Sequence, residues 1–301
     1  MHLLKNILYF IIISIAIVSC DNTPKNAETL SKGVIDISVD ETYQPIIDEE
    51  LKIFDSSYPD AKITIHYKSE AECFKDYFDN KARIILVTRQ LTKEEKDLCE
   101  QKKIWPSSMA IARDGIAVVI NNESKDTILD MDALKGILTG VYKKKYTVVF
   151  DGGSSSTVRF ITDSVLRGGK LGNNVFGAKG NNDVIDYVSK NPEAIGFVGM
   201  SYVYANEDTS RAGTFINNVK VVAMQNDATR DFLKPYQAYV ALKSYPLSRN
   251  LYYINSESNH GLGTGFANFL AGQRGQLVFL HAHLFPLQSN LVIRDVKIND
   301  Q

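Results

Sequence analysis

An α/β fold with a mostly parallel sheet is what this sequence predicts, and three observations predict it. Strand-like and helix-like segments alternate from residue 33 onward, the pattern of repeated β–α units. Short, almost wholly apolar runs such as "GIAVVIN" and "TVVF" match strands covered by helices on both faces. No internal repeat and no low-complexity linker interrupts the chain after residue 33, so a second lobe must be joined to the first by ordered strands.

The first segment stands apart from that fold. "MHLLKNILYFIIISIAIVSC" has a basic Lys5, an apolar run from Ile7 to Val18 and small Ser19 just before Cys20. The apolar run is shorter than the ~20 residues of a spanning helix, so residues 1–19 read as a lipoprotein signal peptide. Residues 20–32 then read as a polar tether from a lipidated Cys20.

About 270 residues remain, enough for one large or two medium domains. With 34 basic against 35 acidic residues, no overall field draws the chain to nucleic acid or anionic lipid. "YKKKY" (142–146) is the one tight basic cluster and reads as a solvated turn. Cys73 and Cys99 survive processing; a fold of this size does not depend on their pairing.

"GVIDISVD" (33–40) alternates apolar and polar as a half-buried strand does. It leads into a segment where Ile46, Ile47, Leu51 and Phe54 fall at helical spacing, closed by Tyr58-Pro59. "AKITIHY" then "KSEAECFKDYF", with an apolar stripe of Cys73, Phe74 and Tyr77, repeats the pattern, as does "ARIILVTRQ" then "LTKEEKDLCEQK". "AIGFVGMSYV" and "LYYI" read as further buried strands. In open α/β sheets the ligand crevice lies beyond the carboxyl ends of strands, which nominates "DET", "KSE", "TRQ" and "GGSSST".

"FDGGSSSTVRF" (150–160) crowds small hydroxyls between a strand and a helix. Three readings compete. A nucleophile elbow requires glycine two residues after the serine, and Ser156 stands there instead. A helix cap fits Ser155 or Ser156, with Val158, Ile161 and Val165 on the buried face, but needs one hydroxyl. A cradle for an anion uses the surplus hydroxyls together with free N–H groups at the helix start, and Arg159 in the first turn offers a charged fork.

Several ordered pieces are similar to one family: "TRQLTKEE", "DGIAVVINN", "LKGILTG", "GGSSSTVRF", "VIDYVSKNPEAIGFVG", "YPLSRNLYYI" and "FLAGQRGQLVFLHAHLFP". Together, from about Gly33 to Leu287, they resemble the phosphate-binding solute receptors of ABC importers, of the PstS type. The resemblance implies a type II periplasmic-binding-protein fold, with two α/β lobes, two crossover segments and an anion site in the cleft. It implies one lobe from 33–115 and 245–297 and another from 116–244. By position it places Thr42 in the first strand-helix loop, Ser69 in the second, and Ser155, Ser156 and Thr157 in the phosphate loop, Ser156 standing where that loop usually has glycine.

Two departures from the family pattern shift charge. The carboxylate usual after the third strand is replaced by "VTRQ", and the arginine usual four residues before the loop serine is replaced by Asp151. The expected resolution is that Arg89 supplies the guanidinium, Asp151 the carboxylate and Arg159 assistance, with Glu41 and Asp40 in reserve. A carboxylate in an anion site accepts a hydrogen from a protonated ligand, which favours phosphate over sulfate.

The function expected from the resemblance is a lipid-anchored receptor, with no catalysis and no cofactor, that passes inorganic phosphate to an ABC permease and its ATPase. Alternatives are another oxyanion such as sulfate, a phosphate-responsive signalling or adhesion lipoprotein and, remotely, a serine hydrolase. "HAH" (281–283) lacks a nearby third zinc ligand. Trp105 reads as a core or edge anchor, and Arg113 with Asp114 as a surface pair.

Overall fold

The computed structural model describes residues 28–205, 213–257 and 260–289. The signal segment, Cys20, most of the tether and residues 290–297 lie outside the described residues.

Strand β1 (Gly33–Asp40) passes through a 3-10 turn (Glu41–Tyr43) into helix α1 (Gln44–Ser57). β2 (Ala61–Lys68) leads into α2 (Glu70–Phe78), and β3 (Ile84–Val87) into α3 (Lys93–Gln101). Local chemistry sets these helix starts. Ser69 and Thr92 each form a capping box with the glutamate three residues on, Glu72 and Glu95, which satisfies orphan N–H groups at each end.

The chain then runs through β4 (Ser107–Ile120), β5 (Ile128–Leu129), α4 (Met131–Thr139) and β6 (Thr147–Phe150). Next come α5 (Ser156–Phe160), which continues into a π turn (Ile161–Val165), β7 (Val175–Gly177), α6 (Asn181–Lys190) and β8 (Ala194–Gly199). β9 (Lys220–Val221), β10 (Ala223–Gln225), β11 (Phe232–Leu233) and α7 (Gln237–Ala241) precede the long return strand β12 (Ser248–Asn255). Helices α8 (Leu262–Ala271) and α9 (Gln273–His281) and the short β13 (Phe285–Pro286) complete the described chain.

One sheet has the order β2-β1-β3-β12-β4-β8-β6-β7. Pairing is parallel at both ends, β1 with β2 and β3, and β6 with β7 and β8. In the middle it is antiparallel, where β12 lies between β3 and β4, and β4 meets β8. The expectation of a mostly parallel sheet therefore needs this correction at its centre. β4 carries the chain out of one half and β12 carries it back, and two strands crossing in opposite senses pair antiparallel.

β4 changes partners along its length. Ser107 to Gly115 pair with β12, and Ile116 to Ile120 pair with β8. All four residues of β3 are fully buried, each such side chain contributing roughly 1.5–3 kcal/mol relative to exposure.

On α1 the buried face is Ile46, Ile47, Glu50 and Phe54, while Leu51 is only half-buried. Cys73 and Cys99 are buried in the same apolar cluster, both as free thiols. Trp105 is 74% exposed, so it is no core anchor.

Candidate functional site

Three strand ends deliver the nominated loops. Thr42 follows β1, Ser69 follows β2, and Ser155, Ser156 and Thr157 follow β6. All five are buried. Asp40, the last residue of β1, caps the turn by accepting from the Thr42 N–H at 3.0 Å. Ser155 is the N-cap of α5: its Oγ accepts from the Val158 N–H at 3.3 Å and donates to the Gly152 carbonyl at 3.3 Å.

Asp151 is the centre of the arrangement. Its Oδ2 accepts from the Thr157 hydroxyl at 3.1 Å, the Thr42 hydroxyl at 3.3 Å and the Asn181 amide at 3.3 Å. Donors from β1's end and from β6's end thus meet on one oxygen. Asn181 is itself fixed, its Oδ1 accepting from the Gly199 N–H at 2.9 Å. Gly199 is needed for this approach, because a Cβ there would stand 2.6 Å from the Thr42 methyl.

Two guanidinium groups border the network. Arg249, on β12, is buried; its Nε donates to Asp114 Oδ2 at 2.9 Å and its Nη1 to the Ser156 hydroxyl at 2.9 Å. The Tyr43 hydroxyl donates to the same Asp114 oxygen at 2.9 Å. Burial opposes the charge on Arg249, but Tyr43, Asp114 and Asp40 together hold the guanidinium above its ordinary pKa. Arg159 is paired through Nε with Glu70 and through Nη2 with the Thr88 hydroxyl at 2.7 Å.

The carboxylates outnumber what these cations can neutralise. Burial pushes Asp40 up to about 6, although Arg249 pulls the other way. Burial, with Asp151, Asp40 and Glu72 nearby, pushes Glu41 up to about 7. Two buried polar atoms in this network, Asp151 Oδ1 and Arg249 Nη2, have no hydrogen-bond partner among the described residues, while Asp40 takes the Ser156 hydroxyl as well as the Thr42 N–H.

The other nominated residues have different partners. Arg89 makes a two-pronged pair with Glu95, at 2.6 and 2.8 Å, and its guanidinium carbon lies 3.6 Å from the centre of the Phe74 ring. Its charge is thus committed to α3's cap. Ser69 donates to Glu72 at 2.7 Å. Ser155 is engaged as a cap, and Ser156 accepts from Arg249 and is hydrogen-bonded to Asp40.

Sequence reasoning missed Arg249, Asn181 and the role of Asp114. Asp114 is 1% exposed and no surface residue, and Arg113 turns away from it to Asn250 at 3.2 Å and to the Ala241 carbonyl at 2.6 Å. A signal for Arg249 existed in the strand period. Leu247, Arg249, Leu251 and Tyr253 alternate on the buried face, and an arginine in that phase requires a buried partner.

Known proteins share this architecture. A family model described as the PBP superfamily domain matches residues 25–274. The "Phosphate-binding protein PstS" of Staphylococcus aureus (strain USA300) is 25% identical over 251 residues, covering 78% of this chain and 73% of that protein. A crystal structure of a putative phosphate ABC transporter substrate-binding protein from Clostridium perfringens, with bound phosphate, is similar with a TM-score of 0.71 at 23% identity. The match covers 85% of this chain and 100% of that one. An ABC-type phosphate transport receptor from Vibrio cholerae is similar with a TM-score of 0.64 at 20% identity, over 83% of this chain and 99% of that one. At these identities the likeness to solved structures is one of fold, the type II periplasmic-binding-protein arrangement, and the match over most of its length makes the chain a member of the PBP superfamily.

Proposed function

We propose that this protein is a lipid-anchored receptor that captures inorganic phosphate and delivers it to an ABC-type permease and its ATPase. The observation that carries the reading is the meeting of Thr42 and Thr157 on Asp151. Neutral donors from two separate strand ends converge on one buried point, and hydroxyls and N–H groups gathered at a helix start suit an anion. Likeness to phosphate-binding proteins supports the same ligand.

Within this reading, Ser155, Ser156, Thr157 and Thr42 form the cradle, with Ser69 at its edge. Arg249 carries the positive charge bonded to the Ser156 hydroxyl, Arg159 in α5 is paired with Glu70, and Arg89 contributes through the fold. Asp151 accepts a hydrogen from the ligand, which disfavours sulfate. Residues 33–115 and 245–297 make one lobe and 116–244 the other; the change of partners along β4 at Gly115 supports that boundary. Cys20, processed and lipidated, tethers the whole to a membrane.

Isothermal titration of the purified chain, stripped of ligand, with phosphate and sulfate at one ionic strength tests the reading. Phosphate should bind and sulfate should bind far more weakly. Equal affinities, or no phosphate binding, would refute it.

A further inference from the structure

Part of the segment read as a tether belongs to the fold. Glu28 makes a two-pronged pair with Arg83, at 2.9 and 3.0 Å, and its Oε1 also accepts from the Leu262 N–H at 2.8 Å. Leu262 opens α8. Beside it Glu257, after β12, accepts from the Gly263 and Thr264 N–H groups at 2.9 and 2.7 Å and lies 3.3 Å from the same Arg83. Two carboxylates thus share one guanidinium and the N–H groups at the start of one helix, an arrangement that both the orphan donors and the helix dipole favour.

The backbone is fitted to this contact as well. A Cβ on Gly265 of α8 would stand 1.7 Å from the Leu30 carbonyl oxygen, and one on Gly33, where φ is +144°, would stand 2.5 Å from Glu28 Cγ. Between them the Thr29 N–H donates to the Lys32 carbonyl at 2.9 Å. Residues 28–32 therefore form a clasp on α8, which leaves residues 21–27 as the leash from Cys20. At no more than about 3.6 Å per residue, the eight steps from Cys20 to Glu28 reach at most roughly 29 Å. Leu30 is 40% and Val34 67% exposed beside the clasp, and Arg83 Nη2 reaches the Val34 carbonyl at 3.4 Å. β7 lies six strands from β1, roughly 29 Å away at about 4.8 Å per strand. Contact of the β7 edge with lipid would need the leash at full stretch, whereas contact of the β1–β2 edge needs none.

We propose that the β1–β2 edge of the sheet, with Leu30 and Val34 exposed on it, is the face apposed to the bilayer that holds this chain's own lipid, and that the Glu28 clasp fixes that choice of face. This rests on the lipid-anchor reading above. The clasp shortens the leash by the five residues 28–32 and makes the start of α8 its point of departure, so the body of the receptor rides close to the lipid with its β6–β7 edge outermost.

The test is energy transfer from a dye on the full-length chain, purified from membranes and reconstituted on vesicles of phosphatidylcholine and phosphatidylglycerol, to an acceptor on the lipid headgroups. The dye is placed through Val34→Cys or through Phe176→Cys on β7, both exposed positions, while the native Cys73 and Cys99 are buried. Transfer should be at least about twofold more efficient from residue 34 than from residue 176, given the leash length and the width of the sheet. An insert of about 20 Gly and Ser residues after Ala27 should remove most of that difference. In the soluble chain without residues 1–20, Glu28→Ala should speed hydrogen exchange of the Leu262 N–H at least about tenfold, through loss of a charged acceptor. Equal transfer from the two positions on vesicles that retain the protein, or unchanged exchange at Leu262, would overturn the apposed face and leave the lipid anchor intact. A full-length chain that vesicles do not retain would overturn both.

Discussion

Replacing Arg249 with methionine should unfold this protein far more readily, and the structure sets the size of the effect. The guanidinium and the Asp114 carboxylate are 1% and 2% exposed, so the pair is out of water. Methionine keeps most of the apolar stem but leaves Asp114 with the Tyr43 hydroxyl as its remaining donor. Removing one partner of a buried pair costs about 3–5 kcal/mol, because the other charge stays buried and uncompensated. Adding Asp114→Asn to Arg249→Met removes that charge while keeping an acceptor for Tyr43, and should return at least about 1.5 kcal/mol. Urea unfolding followed by far-ultraviolet circular dichroism measures both, since Trp105 is too exposed to report the transition well. An Arg249→Met cost under about 1 kcal/mol, with no recovery in the double variant, would refute the claim that this pair organises the buried network.

Ser155→Ala should lower stability by about 1 kcal/mol through loss of the cap, whereas Thr157→Val should weaken phosphate binding by roughly 0.5–1.5 kcal/mol, because its hydroxyl exchanges Asp151 for the anion; calorimetry and urea unfolding of both variants separate the roles. Burial raises Glu50 from 4.5 to about 9, so the folded state holds this proton after the unfolded state has released it, and stability is lost as pH rises from 4.5 to about 9. Glu50→Gln should therefore change little near pH 4 and raise stability near pH 8 by at least about 1.4 kcal/mol, the worth of one pKa unit, measured by urea unfolding at both values. Cys20→Ser should release the protein from membrane fractions while phosphate binding persists, read by fractionation and calorimetry.

The β–α units were legible because their signals are local. The apolar stripe of Cys73, Phe74 and Tyr77 and the run "IILV" each state their own burial. The antiparallel centre was not legible, because which strands meet there depends on where a chain segment returns after more than a hundred residues. Position in the loops after β1 and β6 nominated Thr42 and Thr157, since ends of strands are set by local pattern, whereas Asp151 was singled out by its departure from the family pattern. Arg89 misled for a physical reason: a guanidinium at a strand end serves an anion or a neighbouring carboxylate equally well, and Glu95, six residues on, supplied the carboxylate. Glu50 was hidden because it ends the acidic run Asp48-Glu49-Glu50, which looks like a helix's solvent face until burial is known.

Asp151 also changes what ligand binding must accomplish. Its Oδ2 already takes three donors, so the cradle is satisfied by a carboxylate of the chain itself. A hydroxyl carries one hydrogen, and Thr42 and Thr157 must turn from Asp151 to meet an anion. Each turn exchanges one hydrogen bond for another, and the net gain is closer to about 0.5–1.5 kcal/mol per bond than to its gross strength. Asn181 escapes this limit, because an amide nitrogen has two hydrogens and can keep Asp151 while offering the second. A ligand that also donates to Asp151 Oδ1 restores what the threonines withdraw. Affinity at this site is then governed by how many hydrogens the ligand brings, which is why a bare oxyanion of the same size should gain little here.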